Sequence, residues 1–596
     1  MNLKFKLNSM KKSIIFGIVA MAALALPFGL SAQEHKRVEV TTTYNPEVAP
    51  AKKLTAPTTI SDVPGIEPEI KYNIKPETWQ IELDDHQINP TRSNFWDFGR
   101  AKRFYTQLAS GYPLMSKAKF HYATNNVRLG YFGVGIDHDG NFARKRSFDG
   151  TLRSMSDSYD MQNRLYVGGG VFAGCRMFEV GLEYNCDLYN NYATAAYVPN
   201  HNSSVAEPSD EMNFSKSDLL TFHDAGLILR FGDDFVNLSR LNFTVEAHGG
   251  IWAHNLPASG CTIFCEGEFR AGASALFARK FGLNTIDLKA EFDMWMQPDD
   301  LYQDMRLGLT AGYARTFGFV DLKAGIGYMY DKVRDREKPS HFVKPQLKLL
   351  FDTGTTAITP YVEFNTTVSQ NGISNLYKEN PYIYYRYYID ENRCEDKVNM
   401  YSTMPNTRSY NLALGFSGSA ISSRLEYRLY FGANFMRDQL IWTVATPGTF
   451  SVAADNNNRI FFGAELGCRP IGGLHISGSI YAHADNTDSM YVVDDARFKA
   501  SLKAEYKIKR WKMYVSSDFM GKRRWSQAQA ASVEGKAPVA FEAPSSIDLR
   551  AGLSFKASKR VEIYADGYNL LNDDIFDYAY YYRNGAGFMA GVKIDF

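Results

Sequence analysis

The sequence predicts an all-β protein, a transmembrane antiparallel β-barrel of about 22 strands. Three observations lead to this prediction. Apolar and polar residues alternate with a period of two in many segments. The connections between those segments are alternately short and long, and the chain begins with an export signal. Together they describe an exported chain that crosses a membrane with strands.

Residues 1–32 are predicted to be a secretory signal peptide. Four lysines stand before an apolar run over residues 14–26, and small residues follow it up to Ala32. This order is that of a cleaved export signal, so we expect the mature chain to begin near Gln33. After it, no apolar run approaches the roughly 20 residues that a membrane helix needs.

Residues 33–101 are predicted to form a separate N-terminal segment that lies in the periplasm or in the barrel lumen. Prolines recur along it and disfavour a continuous sheet, so extended polyproline-like chain is expected. These prolines are Pro46, Pro50, Pro57, Pro64, Pro68 and Pro76. Residues 102–596 are predicted to form the barrel.

The strand prediction rests on segments such as residues 286–296, 498–508 and 547–556, whose two faces differ in polarity. A soluble core does not accept a charged strand face, whereas a water-filled lumen does. The predicted lumen charges are Asp287, Lys289, Glu291, Asp293, Lys503, Glu505, Asp548 and Arg550. Because their signs are mixed, a simple ion-selective pore is not indicated.

The strand count comes from the connections. Residues 557–560 and 508–511 are short, whereas residues 572–584 and 524–545 are long. This alternation continues upstream, for example with a long connection predicted at residues 438–457. It predicts short periplasmic turns and long extracellular loops, with an even count of about 22 strands, between about 20 and 24. Barrels of this size are transporters whose lumen is plugged, whereas about 16 to 18 strands make open porins.

The chain ends on a two-faced strand whose last residue is the aromatic Phe596. We predict that this residue faces lipid at the closing seam and is read by the barrel-assembly machinery. Outer-membrane lipids are the other partner that a barrel implies, and the predicted location is the outer membrane of the cell.

Composition excludes several classes of function. Aromatic residues make up 14% of the chain, which suits aromatic girdles. The formal charge of +1 includes the four signal lysines, so the mature chain carries −3, which is too balanced for nucleic-acid binding. Six cysteines do not make a disulfide scaffold, although Cys175 with Cys186 and Cys261 with Cys265 are near enough in sequence to pair. No histidine stands close enough to Cys261 and Cys265 to complete a metal site, and no cofactor is predicted.

Catalysis is not predicted. Residues Gly415 to Ser419 approach the Gly-x-Ser-x-Gly nucleophile pattern, but a serine replaces the closing glycine. The stretch is typical of a strand that enters a turn, without the strand-to-helix elbow that such a nucleophile requires.

Ligand recognition is predicted in the longest outer loop, where tyrosines flank an arginine. Tyrosine offers a flat apolar face with a hydroxyl group, which suits sugars, peptides and aromatic ligands. The candidates are Tyr382, Tyr384, Tyr385, Arg386, Tyr387 and Tyr388, with Trp442 in another loop. The alternative is that these rings belong to the outer aromatic girdle, and it applies equally to Tyr578, Tyr580, Tyr581 and Tyr582.

The end of the chain resembles the closing hairpin of TonB-dependent receptors. Asn569 to Asn572 stand before tyrosines, a glycine and a final aromatic strand, although residues 584–587 replace the Pro-Gly-Arg often found there. Residues 38–62 and 103–126 are similar to a subgroup of these receptors with a reduced plug domain. The resemblance implies an energy-coupling segment that pairs with a periplasmic energy-coupling protein by strand addition, at Val38, Glu39, Val40, Thr41 and Thr42. The alternative is a solvated leader that packs loosely in the barrel mouth.

The expected function is capture of a solute at the cell surface and its passage through the barrel. Outer loops would bind the solute, the polar lumen would conduct it, and residues 33–101 would obstruct the opening. The alternative is a structural or assembly platform for a surface lipoprotein or secretion partner that transports nothing.

Overall fold

The computed structural model describes most of the chain from Arg103 to Asp595. Residues 1–102, which hold the predicted signal peptide and proline-rich segment, lie outside the described residues, as does Phe596. The described ranges are 103–126, 130–149, 152–174, 176–190, 192–193, 219–233, 235, 237–255, 266–297, 300–333, 338–383, 404–421, 423–487, 490–528 and 537–595. Among these residues, no helix has the length and apolar character needed to span a membrane.

The described chain is built from strands and one short helix. The first fifteen strands are β1 Phe104–Tyr112, β2 Met115–Asn126, β3 Gly130–Asn141, β4 Arg144–Asp149, β5 Leu152–Asp157, β6 Asp160–Ala173, β7 Arg176–Asn190, β8 Leu219–Asp233, β9 Asn242–Asn255, β10 Glu266–Phe281, β11 Asn284–Gln297, β12 Asp300–Phe317, β13 Val320–Lys332, β14 Ser340–Phe351 and β15 Thr359–Ser369. Helix α1 Ile373–Glu379 follows. The remaining strands are β16 Thr407–Ala420, β17 Leu425–Thr446, β18 Thr449–Cys468, β19 Leu474–Thr487, β20 Phe498–Ile508, β21 Trp511–Met520, β22 Arg523–Ser526, β23 Val539–Ala543, β24 Ser546–Lys556, β25 Val561–Tyr568, β26 Phe576–Tyr578, β27 Tyr581–Tyr582 and β28 Gly587–Asp595.

Twenty-two of these strands form one closed antiparallel barrel, which confirms the predicted fold and strand count. The barrel closes where β1 pairs with β28, with Tyr105 opposite Asp595 and Tyr112 opposite Phe588. The other six strands form three small hairpins, β4–β5, β22–β23 and β26–β27, within connections between barrel strands.

The predicted faces of the barrel wall are confirmed on β11. Ile286 and Leu288 point away from the lumen and are 49% and 42% exposed, as a lipid-facing surface requires. On the opposite face, Asp293 accepts a hydrogen bond from Arg306 Nη2 at 2.6 Å. The guanidinium of Arg306 also lies 5.3 Å from the ring centroid of Trp295. Polar groups therefore pair with one another inside, and apolar groups cover the outside.

The connections separate the two ends of the barrel. Strand β1 begins and strand β28 ends at the same end of the barrel. Neighbouring strands are joined there by short turns such as residues 282–283, 318–319 and 509–510. This is the periplasmic end, since an even number of strands places both termini there. The opposite, outer end carries the large connections, which are residues 142–159, 191–218, 370–406, 521–545 and 569–586.

One predicted loop is wrong in its local structure. Residues 438–457 do not form an irregular loop, because β17 and β18 continue as a hairpin to the turn at residues 447–448. Trp442 stands opposite Val452 in this extension, and such aromatic and β-branched pairs stabilise two strands. Asn457 lies within β18, where its Nδ2 donates to Asp485 of β19 at 2.8 Å.

Candidate functional site

The outer connections pack together into one buried cluster, which we call the outer cap. Its members come from the ends of β8 and β9, the β7–β8 and β15–β16 connections, the β17–β18 extension and the two hairpins nearest the C-terminus. They are Tyr192, Ala193, Leu220, Phe222, Trp252, Ile373, Leu376, Tyr377, Tyr382, Ile383, Trp442, Val444, Phe450, Val452, Trp525, Ala543, Phe576, Ala579, Tyr580, Tyr581 and Tyr582. Burial of this many large side chains stabilises the cap as it does a protein core.

The centre of the cap joins connections from different sides of the barrel. The rings of Tyr382 and Tyr581 are stacked with centroids 3.6 Å apart, and Tyr192 meets Tyr581 edge-on at 5.1 Å. Tyr581 Oη donates to the carbonyl of Gly448 at 2.7 Å. Because β7–β8 and β17–β18 are separated by about half of the barrel circumference in the strand order, these contacts bridge the outer opening.

Helix α1 anchors the cap to the barrel wall. The ring of Tyr377 stacks on Trp252 of β9, with centroids 5.2 Å apart. Ser374 Oγ donates to the buried carboxylate of Glu268 on β10 at 2.6 Å, and Lys378 Nζ lies 2.5 Å from Asp224 on β8. The helix is thus held against three consecutive strands, although it belongs to a connection five strands further along.

Charged groups are buried within the cap. Glu379 accepts a hydrogen bond from Trp442 Nε1 at 2.8 Å, and burial raises the pKa of its carboxyl. Arg523 donates to the carbonyls of Phe576 and Asp577, and burial lowers the pKa of its guanidinium. Burial raises the pKa of Asp494 to about 7, against the opposing effect of the nearby Arg523 charge. The cap therefore contains acids whose ionisation opposes its packing.

We predict that the cap is more stable at pH 5 than at pH 7.5. The folded pKa of Asp494 is raised above its ordinary value, so stability falls as pH rises from about 4 to about 7 and then levels off. Limited proteolysis of the purified barrel should cut the outer connections faster at pH 7.5. Asp494→Asn should flatten this dependence, whereas Glu542→Gln, at an exposed acid paired with Lys522 and Arg524, should keep it. An unchanged pH dependence in Asp494→Asn would contradict the assignment.

Below the cap, the lumen wall carries charges of both signs that pair across strands. Arg230 donates to Glu246 at 2.8 Å and to Glu179 at 3.3 Å. Nearer the outer end, Arg459 is 3% exposed and donates to Asp485 at 2.7 Å. Six of the charges predicted to line the lumen form ion pairs on the same wall. They are Lys289–Glu291, Lys503–Glu505 and Asp548–Arg550, with N–O distances of 3.3, 2.6 and 2.5 Å.

The structure places two of the predicted ligand-binding residues inside the cap. Tyr382 and Trp442 are 8% and 4% exposed, so their rings contact neighbouring side chains. Tyr384, Tyr385, Arg386, Tyr387 and Tyr388 lie outside the described residues, as do Val38, Glu39, Val40, Thr41, Thr42 and Phe596. A ligand-binding role for this set stays a prediction.

Sequence reasoning assigned the tyrosines of residues 578–582 to either a ligand surface or a lipid girdle. Instead, Tyr580, Tyr581 and Tyr582 are buried in the cap. The sequence analysis did not identify Trp252 and Tyr377, which also belong to the cap. Their sequence signal is weak, because Trp252 occupies an ordinary strand position and Tyr377 lies on a helix too short to show a period.

The structure also locates the nucleophile-like pattern and the cysteines that the sequence analysis considered. Residues Gly415 to Ser419 lie within β16 and pair with β15 and β17, so they form continuous strand. Cys186 and Cys468 are free thiols, whereas Cys175, Cys261 and Cys265 lie outside the described residues. Within the described part of the chain, no group of three or more His, Cys, Asp or Glu side chains could hold a metal ion.

No protein-family model matches the sequence, and no curated protein matches it. Solved structures do match the fold. The iron transporter FrpB from Neisseria meningitidis superposes with a TM-score of 0.60 at 10% identity, over 83% of this chain and 83% of that chain. A mutant ferric enterobactin receptor PfeA from Pseudomonas aeruginosa, in complex with enterobactin, gives a TM-score of 0.61 at 11% identity, over 83% and 81%.

The copper transporter OprC gives a TM-score of 0.57 at 10% identity, over 83% of this chain and 81% of that chain. The barrel predicted from the sequence is therefore confirmed at the level of fold. At this identity the likeness concerns the fold alone.

Proposed function

We propose that the protein is an outer-membrane receptor that captures a solute at the cell surface and passes it through the barrel. The observation that carries the proposal is the outer cap, whose connections meet across a lumen lined with paired charges. A packed cap over a polar passage has the parts of a gated transporter: a surface for binding, a closure and a hydrated path. Structural neighbours described as iron and copper transporters support it.

Solute binding would act on the cap through the β15–β16 connection. Ile383 is buried in the cap, and its backbone bridges Phe450 of the β17–β18 extension. The predicted binding residues Tyr384 to Tyr388 follow it directly in the chain. A solute held by these tyrosines would therefore compete with, or reinforce, the packing of Tyr382 against Tyr581. Opening requires that the bound solute favours the open cap.

The periplasmic side of the mechanism rests on residues 33–101. In this proposal they obstruct the lumen, and Val38 to Thr42 offer an extended strand to a periplasmic energy-coupling protein. The other expected partners are outer-membrane lipids and the barrel-assembly machinery, which would recognise Phe596 at the seam.

A second candidate function is a non-transporting platform for a surface lipoprotein or secretion partner. The same cap favours it in one respect, because a densely packed outer surface held by Glu268, Trp252 and Asp224 is suited to holding a partner in place. The two functions differ in whether the cap and the N-terminal segment ever leave a continuous water path.

Permeability in cells tests the transport proposal. Deletion of residues 33–101, with the signal peptide retained, should make cells more sensitive to a large antibiotic that the intact outer membrane excludes. The control is the amount of folded, heat-modifiable barrel in the outer membrane, which should be unchanged. Normal insertion with unchanged sensitivity would favour the platform, and capture of a specific lipoprotein by the intact barrel would then be its positive test.

A further inference from the structure

A basic cleft lies at the periplasmic mouth of the barrel, far from the outer cap. It has a volume of about 400 Å³ and is bordered by the ends of β19, β20, β21, β24 and β25. Its cations are Lys507, Lys509, Arg510, Lys512 and Lys556, with His475 beside them. The cleft therefore gathers five positive side chains where neighbouring strands turn.

The strand register places like charges opposite each other in this cleft. Lys507 of β20 pairs directly with Lys512 of β21, on the face that also carries Glu505. Like charges at directly opposed positions destabilise a sheet. The turn between them adds Lys509, whose φ of 51° is the left-handed conformation that a tight two-residue hairpin turn favours.

The acids in the cleft offset only part of this positive charge. Glu505 lies 2.6 Å from Lys503 and 3.5 Å from Lys512, and Glu562 lies 3.6 Å from Lys593. Among the described residues, Lys507, Lys509, Arg510 and Lys556 form no ion pair. The cleft is left with an excess of exposed positive charge that a bound anion would neutralise.

We propose that this cleft binds a phosphoryl group, carried either by the headgroup of an anionic phospholipid or by a small soluble phosphate compound. Ammonium groups and a guanidinium converging on one small space are the donors that phosphate prefers. Trp511 borders the cleft and is 43% exposed, and its ring packs on Phe555 with centroids 4.6 Å apart. Tryptophan is a side chain typical of headgroup depth in a membrane. The site does not depend on the transport proposal.

The test compares two double variants that each remove two positive charges from the periplasmic rim. Lys507→Gln/Lys509→Gln removes charges of the cleft, and Arg279→Gln/Lys280→Gln removes charges beside the turn at residues 282–283. All four side chains are exposed, so heat-modifiable migration on gels should confirm folding of both variants. One arm measures binding of inorganic pyrophosphate to the barrel in neutral detergent by calorimetry. The other measures phosphatidylglycerol retained by the barrel in mixed phosphatidylcholine nanodiscs.

The cleft variant should lose at least about tenfold in affinity in one arm, and the rim variant should behave as the unmodified chain. Loss in the nanodisc arm alone identifies a lipid headgroup, and loss in the calorimetric arm identifies a soluble phosphate compound. Binding should also weaken as salt is raised. Equal behaviour of the two variants in both arms, or absence of binding by the unmodified chain, would overturn the proposal.

Discussion

Replacing Leu288 with arginine is expected to lower the free energy of unfolding of the barrel by roughly 2 to 4 kcal/mol. Leu288 lies on the lipid-facing side of β11 and is 42% exposed, with Phe277 and Ala311 as its cross-strand neighbours. Arginine there places a charge in the hydrocarbon, where neither water nor a counter-ion can reach it without deforming the bilayer.

The matched control is the next residue along the strand. Lys289 faces the lumen with 46% of its side chain exposed, and its partner Glu291 keeps Lys344 at 3.8 Å when Lys289 is removed. Lys289→Gln should therefore change the free energy of unfolding by less than about 1 kcal/mol. Reversible urea unfolding in lipid vesicles measures both variants. Comparable losses in the two would mean that the lumen and lipid faces have been exchanged.

Replacing Tyr581 with alanine is expected to open the outer cap. The ring is 1% exposed and contacts Tyr382 and Tyr192, and its hydroxyl holds Gly448 of the β17–β18 extension. Truncating a buried aromatic ring costs roughly 3 to 5 kcal/mol, which exceeds the stability of many local units. Protease should then cut the outer connections much faster than in the unmodified chain, while the barrel strands remain protected.

The control for this prediction is Tyr581→Phe. It keeps the stacked ring and loses only the hydrogen bond to Gly448, a change of about 1 kcal/mol. Its cutting rate should stay close to that of the unmodified chain. If the alanine variant were cut no faster than the phenylalanine variant, Tyr581 would not hold the cap together.

The barrel wall was accessible from sequence because its determinants are local. The alternation around Leu288 and Asp293 follows from the two-residue period of a strand between lipid and water, and each strand repeats it independently. The last strand and the turns at residues 557–560 and 509–510 were located in the same way. Counting such units gives the strand number without knowledge of any long-range contact.

The cap could not be predicted because its contacts join residues far apart in the chain. Tyr192 and Tyr582 are linked by a hydrogen bond of 2.8 Å although they are 390 positions apart, and Ser374 reaches Glu268 across 106 positions. A tyrosine in an outer connection has the same local sequence whether it faces lipid, solute or another loop. The prediction of a loop at residues 438–457 was wrong for a related reason, because partners such as Asp485, which binds Asn457, lie on another strand.

We propose that the barrel is a passage restricted at the outer end by the cap and at the periplasmic end by residues 33–101. Planar-bilayer conductance tests it on four proteins: the full chain, Tyr581→Ala, the deletion of residues 33–101, and the two changes combined. Conductance should be lowest for the full chain, larger for each single change and largest for the combination, because each closure restricts the same path. A combined variant that inserts normally and conducts no more than the full chain would contradict the claim.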